Sequence, residues 1–395
     1  MFRKVAVMSK SIEQIGFSPE RLARARNFIQ GYVDRGKFYG AELLVARHGE
    51  VAFHEAIGWR DPANKVPLEK GAVYSPFSVS KTFTSVLTLN AIERGLFSLT
   101  TKVSEIIPEF KGGRRENITI YQLLTHQSGL PMVFVPIPGM YLDVLEDFIA
   151  AICKTVHCEA EPGEQATYSP SVNHALMGEC VRRTDPKKRS FRQIATEDLL
   201  IPLAMKDSSV GLRKDLRARH LKPVWLFDKG ALNHLGHSNY GSDGAFEEED
   251  AEMPWVGYST TVSDLFRLSE MIRRGGELDG VRILSPVTTA QMHINRTGEK
   301  MNQLHGKNAI QRGWDPMPAY SGLGVFLRGS AMCHHQFGTL TSPETFGQHG
   351  QGSALYWVDP VHDVSFVHLS HGVMAEGESI ERFQRLSDIV ITSVI

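Results

Sequence analysis

The spacing of apolar residues divides the chain into elements before any chemistry is considered. Between residues 18 and 35, Leu22, Ala25, Phe28, Ile29 and Val33 recur at three- and four-residue steps, which predicts an amphipathic helix. Two strand-like runs follow, 41–47 and 51–59, joined by His48-Gly49-Glu50, a hairpin signature. Residues 82–95 read as a helix, with Val79, Phe83, Val86 and Leu87 as its apolar stripe and Gly95 as its stop. A polar, helix-rich middle contains helical patterns at 119–124, 173–183 and 262–274, with Gly129-Leu130-Pro131 as a break. Strand patterns return at 323–327, 353–358 and 364–369, and a last helix covers 378–395. Strands near both ends with helices between predict an α+β fold, its sheet built from residues 1–100 and 300–395 around an inserted, mostly helical lobe at 101–299.

Composition narrows the class. The 395 residues suffice for a large core, and 42% hydrophobic with 22% charged residues is ordinary for a water-soluble globular chain. A formal net charge of −1 gives no global attraction to nucleic acid or anionic membrane. Four cysteines (Cys153, Cys158, Cys180 and Cys333) are too few for a disulfide framework, and no run approaches a signal-peptide core or a membrane span. The expectation is a cytoplasmic protein without nucleic-acid or membrane partners. The acidic run at 247–250 reads as a solvated loop.

The chemistry concentrates at Ser78-Val79-Ser80-Lys81. Residues three apart share a helix face, so the Ser78 hydroxyl and the Lys81 amine can point into one space. A serine becomes a nucleophile when a base removes its proton, and a desolvated lysine can be that base. The bare pattern arises by chance about once in a chain of this length. It occurs here a single time, behind the turn-like Tyr74-Ser75-Pro76-Phe77 and ahead of a long helix. Tyr168, after the Pro162-Gly163 turn and before a helix, is either a proton shuttle or a rim tyrosine with local bonds. In Phe346-Gly347-Gln348-His349-Gly350-Gln351-Gly352-Ser353, glycines at a strand start allow close backbone approach, and an N–H there could join that of Ser78 in an oxyanion hole. His349 is then a polar contact to substrate; otherwise the segment is a structural bend.

These three segments, in this order, resemble the serine β-lactamase and penicillin-binding-protein superfamily, and within it the class C β-lactamase-like hydrolases and family VIII carboxylesterases. Residues 39–61 resemble the family's first hairpin, Gln122-Leu123-Leu124-Thr125-His126-Gln127-Ser128-Gly129-Leu130 its segment before the helical lobe, and Ser259-Thr260-Thr261-Val262-Ser263-Asp264-Leu265 another recurrent stretch. The resemblance implies an antiparallel sheet flanked by helices, an all-helical lobe and a cleft between them. It makes Ser78 the acyl-forming nucleophile, Lys81 its partner and Tyr168 the catalytic tyrosine.

The departures from the family pattern carry information. Members acting on β-lactams or D-Ala peptides have Tyr-x-Asn, whereas Pro170 stands here; they have Lys-Thr-Gly, whereas this chain has Gln348-His349-Gly350 or His349-Gly350-Gln351. The first register is preferred because it keeps glycine third and puts the Gln351 N–H at the oxyanion hole. Without the amide-orienting Asn and the carboxylate-binding Lys, an ester is the expected substrate. β-Lactamase, D-amino-acid peptidase or amidase, and acyltransferase are alternatives on the same fold, and a non-catalytic binding protein is a further one. No metal or organic cofactor is expected.

Three other signals are set aside. Gly236-His237-Ser238-Asn239-Tyr240-Gly241 fails the nucleophile-elbow pattern at Tyr240. Cys333-His334-His335, and Cys153 to Cys158 with His157, lack a second ligand pair at zinc spacing. Trp255 and Tyr258 are either walls of an acyl pocket or core.

Overall fold

A computed structural model of the protein describes residues 10–227 and 244–395. Its centre is a seven-stranded antiparallel sheet drawn from both ends of the chain. The strands are β1 (Gly40–Arg47), β2 (Glu50–Asp61), β3 (Val66–Pro67), β4 (Phe326–Leu327), β5 (Phe346–Gly350), β6 (Ala354–Asp359) and β7 (Val364–Ser370), in spatial order β4-β5-β6-β7-β1-β2-β3. The β1–β2 hairpin turns at His48 and Gly49, with φ of 57° and 78°. Positive φ at both central residues matches the right-handed twist of the flanking strands. The β1–β7 register sets Ala41 opposite Ser370 and Arg47 opposite Val364.

Alternation along the strands divides the core in two. Leu43, Val45, Leu355, Trp357 and Phe366 face the helices α1 (Pro19–Asp34) and, from the other end of the chain, α6 (Glu376–Ile391). Leu44, Ala46, Tyr356, Val358, Val367 and Leu369 face the larger cluster, which includes α2 (Ser80–Glu93), α3 (Leu145–Thr155), α4 (Val172–Thr184) and α5 (Val262–Arg273). A period of two in side-chain direction thus serves two separate apolar layers. Helix α5, which the linear reading put in the helical lobe, lies against β1, β6 and β7 of the sheet.

Helix α2 differs from the expected amphipathic element. It is buried on nearly every side, with Ser80, Lys81, Thr82, Thr84, Ser85 and Thr88 as covered as its apolar residues. A helix central to a large domain has no solvent face, so its polar groups need internal partners. Thr82 Oγ1 lies 3.0 Å from the Tyr356 hydroxyl, Thr84 donates to the Pro254 carbonyl at 2.6 Å, and Ser85 Oγ lies 3.2 Å from His174 Nε2. Among the described residues no helix is long and apolar enough to cross a membrane.

Candidate active site

Ser78 sits in a single 3-10 turn, Phe77–Val79, that runs directly into α2, which places it just ahead of the regular helix. Phe77 adopts φ 48°, in the left-handed region, at a cost of about 1–3 kcal/mol for a side chain of this kind. Its ring is held edge-on by Phe246, 5.1 Å between centroids, and Trp225, 5.7 Å. The turn half-exposes Ser78 at the floor of a cleft of about 290 Å3.

Lys81 lies one turn further on and is fully buried. Its Nζ is 3.0 Å from Ser78 Oγ and 3.2 Å from the Trp255 carbonyl oxygen. Among the described residues no carboxylate pairs with it, and burial holds its pKa well below the usual lysine range. An amine whose charged form burial disfavours, 3.0 Å from a hydroxyl, can take its proton. Tyr168 completes the group. Its hydroxyl shares a hydrogen bond with Ser78, and Lys81 Nζ stands 5.2 Å from its ring centroid. Burial pushes the phenol upward despite that bond, so the ring is a protonated donor. Desolvation drives both groups toward neutrality, which suits Lys81 to accept a proton and Tyr168 to give one.

Tyr168 is fixed by residues that the sequence did not single out. His126 accepts from the Ser169 N–H at Nδ1, 3.1 Å, and its carbonyl accepts from the Thr167 N–H at 2.9 Å. It therefore clamps the backbone on both sides of Tyr168, with the two rings 4.9 Å apart. Burial, followed by the neighbouring Lys81 and His305, takes the His126 imidazole down to about 3. The His126 signal was its place inside the recognised 122–130 segment. His305 and Glu376 gave none. His305 Nδ1 bonds Glu376 Oε1 at 2.6 Å, Asn308 Nδ2 donates to Glu376 Oε2 at 2.6 Å, and all three line the cleft. Burial opposes ionisation of Glu376, but the bond from His305 and the charges around it outweigh burial and hold the carboxyl at about 2.

The β5 end meets the Ser78 turn closely. A Cβ at Gly350 would lie 2.2 Å from the Pro76 carbonyl oxygen and 3.1 Å from Ser78 N, so glycine is required there. His349, Gln351 and Gly352 line the cleft, whereas Gln348 does not. Gln348 is on the opposite pleat, paired with Tyr356, and its Oε1 accepts from the next residue's N–H at 3.1 Å. Pleat parity separates the two side chains: His349 faces the cleft and Gln348 does not, while Gly350, third in Gln348-His349-Gly350, packs on the serine turn ahead of Gln351.

The cleft's apolar lining comes from Phe77, Phe134, Trp225, Phe246, Trp255 and Val256. Trp255 is thus both wall and core, stacked on Phe148 at 4.3 Å, while Tyr258 is core, 4.4 Å from the Phe83 ring. Pro170 also lines the cleft. The Gly236-His237-Ser238-Asn239-Tyr240-Gly241 stretch lies outside the described residues.

The chain resembles "EstCE1, a hydrolase with promiscuous acyltransferase activity" at TM-score 0.73 and 21% identity, covering 93% of this chain and 98% of that one. A crystal structure of a family VIII carboxylesterase gives TM-score 0.73 and 20% identity over 96% and 99%. At these identities the likeness shows a shared fold. Among curated relatives, Protein flp of Staphylococcus aureus (strain MW2) is 30% identical over 186 residues, 46% of this chain and only 36% of that protein's length. The Beta-lactamase family model matches residues 25–389, nearly the whole chain. The chain belongs to the Beta-lactamase family, within the superfamily of serine β-lactamases and penicillin-binding proteins.

Proposed function

We propose that the protein is a serine hydrolase that cleaves carboxylic esters through an acyl-enzyme on Ser78. The observation that carries this reading is the Ser78 hydroxyl held 3.0 Å from a buried lysine amine and hydrogen-bonded to a protonated tyrosine. Lys81 removes the Ser78 proton as its oxygen attacks the ester carbonyl. The Ser78 and Gln351 N–H groups stabilise the oxyanion, and such a donor contributes about 3–4 kcal/mol. Tyr168 passes a proton to the departing alcohol and is reprotonated from Lys81. Water then resolves the acyl-enzyme.

An ester is favoured over a β-lactam or peptide because Pro170 stands at the asparagine place of Tyr-x-Asn and, among the described residues, no lysine lines the cleft, where His349 and Gln351 stand. Aromatic walls suit an uncharged acyl group. Acyl transfer to an alcohol is a second reading, supported by the activity named for EstCE1. Free thiols at all four cysteines fit the cytoplasm. Turnover of short-chain p-nitrophenyl esters should vanish in Ser78→Ala, and a fluorophosphonate should label the parent protein at Ser78. Faster nitrocefin than ester turnover would favour the β-lactamase alternative, and ester product in added alcohol would favour transfer. Undiminished activity in Ser78→Ala would overturn the nucleophile assignment.

A further inference from the structure

Beside the nucleophile group lies a chain of buried polar atoms that the mechanism above leaves unused. Glu376 Oε1 is 2.6 Å from His305 Nδ1. His305 Nε2 and His349 Nδ1 are both buried without a hydrogen-bond partner, on rings whose centroids are 5.2 Å apart and tilted by 58°. His349 lines the cleft, and with Nδ1 buried its residual 9% exposure leaves Nε2 on the open side. Unpaired polar atoms in a protein interior are costly, and two of them on adjacent rings ask for a function.

We propose that Glu376, His305 and His349 form a proton relay whose outer nitrogen, His349 Nε2, activates the acyl acceptor in the second half-reaction. The inference rests on the acyl-enzyme reading. As a water oxygen bonds to the acyl carbon, its proton moves to His349 Nε2; a rotation of the adjacent rings that brings His349 Nδ1 and His305 Nε2, unbonded at rest, into hydrogen-bond contact then lets the Nδ1 proton pass to His305. The positive charge then sits on His305 against the Glu376 carboxylate, as in other carboxylate–imidazole pairs. Collapse of the tetrahedral intermediate breaks the bond to Ser78 Oγ, and the proton returns along the relay to that oxygen; the carboxylic acid loses its own proton to solvent. His349 acts as the catalytic residue, and His305 and Glu376 as positioning and charge-holding ones.

The surroundings suit a relay. Asn308 and Arg312 brace Glu376 at 2.6 and 3.7 Å, and Tyr168, 5.1 Å from the His305 ring, links the relay to Ser78. Burial, then His305, keeps the His349 imidazole at about 3, so protons pass through it without charge resting there. Lys81, His126 and His335 are the other titratable neighbours, and burial holds each below its usual range.

Glu376→Gln and His305→Gln conserve shape and test the assignment. Fluorophosphonate labelling of Ser78 should stay within about twofold of the parent, while turnover of a p-nitrophenyl ester falls about 10²-fold. Intact mass should then show the acyl group accumulating on Ser78. Labelling and turnover falling together, or neither falling, would overturn the relay. If the parent protein forms no Ser78 adduct with ester or fluorophosphonate, the acyl-enzyme reading falls, and the relay with it.

Discussion

Gly350 and Ser78 are in backbone contact: a Cβ on Gly350 would approach Ser78 N to 3.1 Å and the Pro76 carbonyl oxygen to 2.2 Å. The edge of the sheet and the nucleophile turn are thereby joined without an intervening side chain. Gly350→Ala must part them. We expect turnover to fall at least about 10²-fold, as for loss of an oxyanion donor, with about 1–3 kcal/mol of stability lost to overpacking. Steady-state kinetics and a thermal melt check both.

Burial disfavours the charged form of Lys81, which makes it a readier proton acceptor than an exposed lysine. Protonation as pH falls removes the acceptor, so kcat/KM should rise with pH through a limb well below the ordinary lysine range. A limb near 10 in the pH–rate profile would contradict this.

The same burial costs stability. Between the lowered native pKa and the unfolded one, the unfolded chain binds more protons at Lys81 than the native state does, so stability rises with pH until unfolded lysine also loses its proton. Lys81→Met should be inactive yet more resistant to urea at pH 7, by on the order of 1–3 kcal/mol, with the gain shrinking as pH approaches 10. Denaturation at several pH values tests the trend.

Tyr168→Phe keeps the ring contacts with His126, His305 and Phe326 but removes the donor. An alkoxide needs that proton and a p-nitrophenolate does not. The variant's kcat/KM should therefore fall about 10²–10³-fold for alkyl esters and far less for p-nitrophenyl esters. Equal losses for both would argue against a donor role.

Away from the cleft, Arg189 bonds Asp185, Glu197 and Asp198. Its hydrogen bonds hold the buried Asp185 carboxyl down to about 2, against burial. A lowered carboxylate contributes stability above its unfolded value that is lost as pH falls toward its native one. About 2 kcal/mol should disappear between pH 4 and pH 2, and Asp185→Asn should flatten that part of the acid-unfolding curve.

What could be read from the sequence was local or alternating. The α1 helix, the β1–β2 hairpin and the strands β6 and β7 fall within two residues of their expected bounds, because periods of 3.6 and 2 are written into neighbouring residues. Ser78 and Lys81 share that locality. Tyr168 came through resemblance, since nothing near it in sequence shows what it faces. Which of the 348–351 side chains faces the cleft was not legible, because it depends on pairing with β6. His305 and Glu376 lie 71 residues apart and meet only through tertiary packing. Helix α2 looked amphipathic because the apolar stripe is visible in sequence and the neighbours that cover its polar side are not.

The hydrogen-bonded seam between β1 and β7, with Ala41 facing Ser370, has a bearing on how the molecule is made. A strand synthesised early finds its partner only when late residues have emerged, so closure of the sheet is a long-range and slow event. Until then the serine turn has no β5 edge beside it and no α6 to deliver its carboxylate. A nascent chain whose later strands have not yet emerged therefore carries Ser78 without the groups that surround it in the folded cleft.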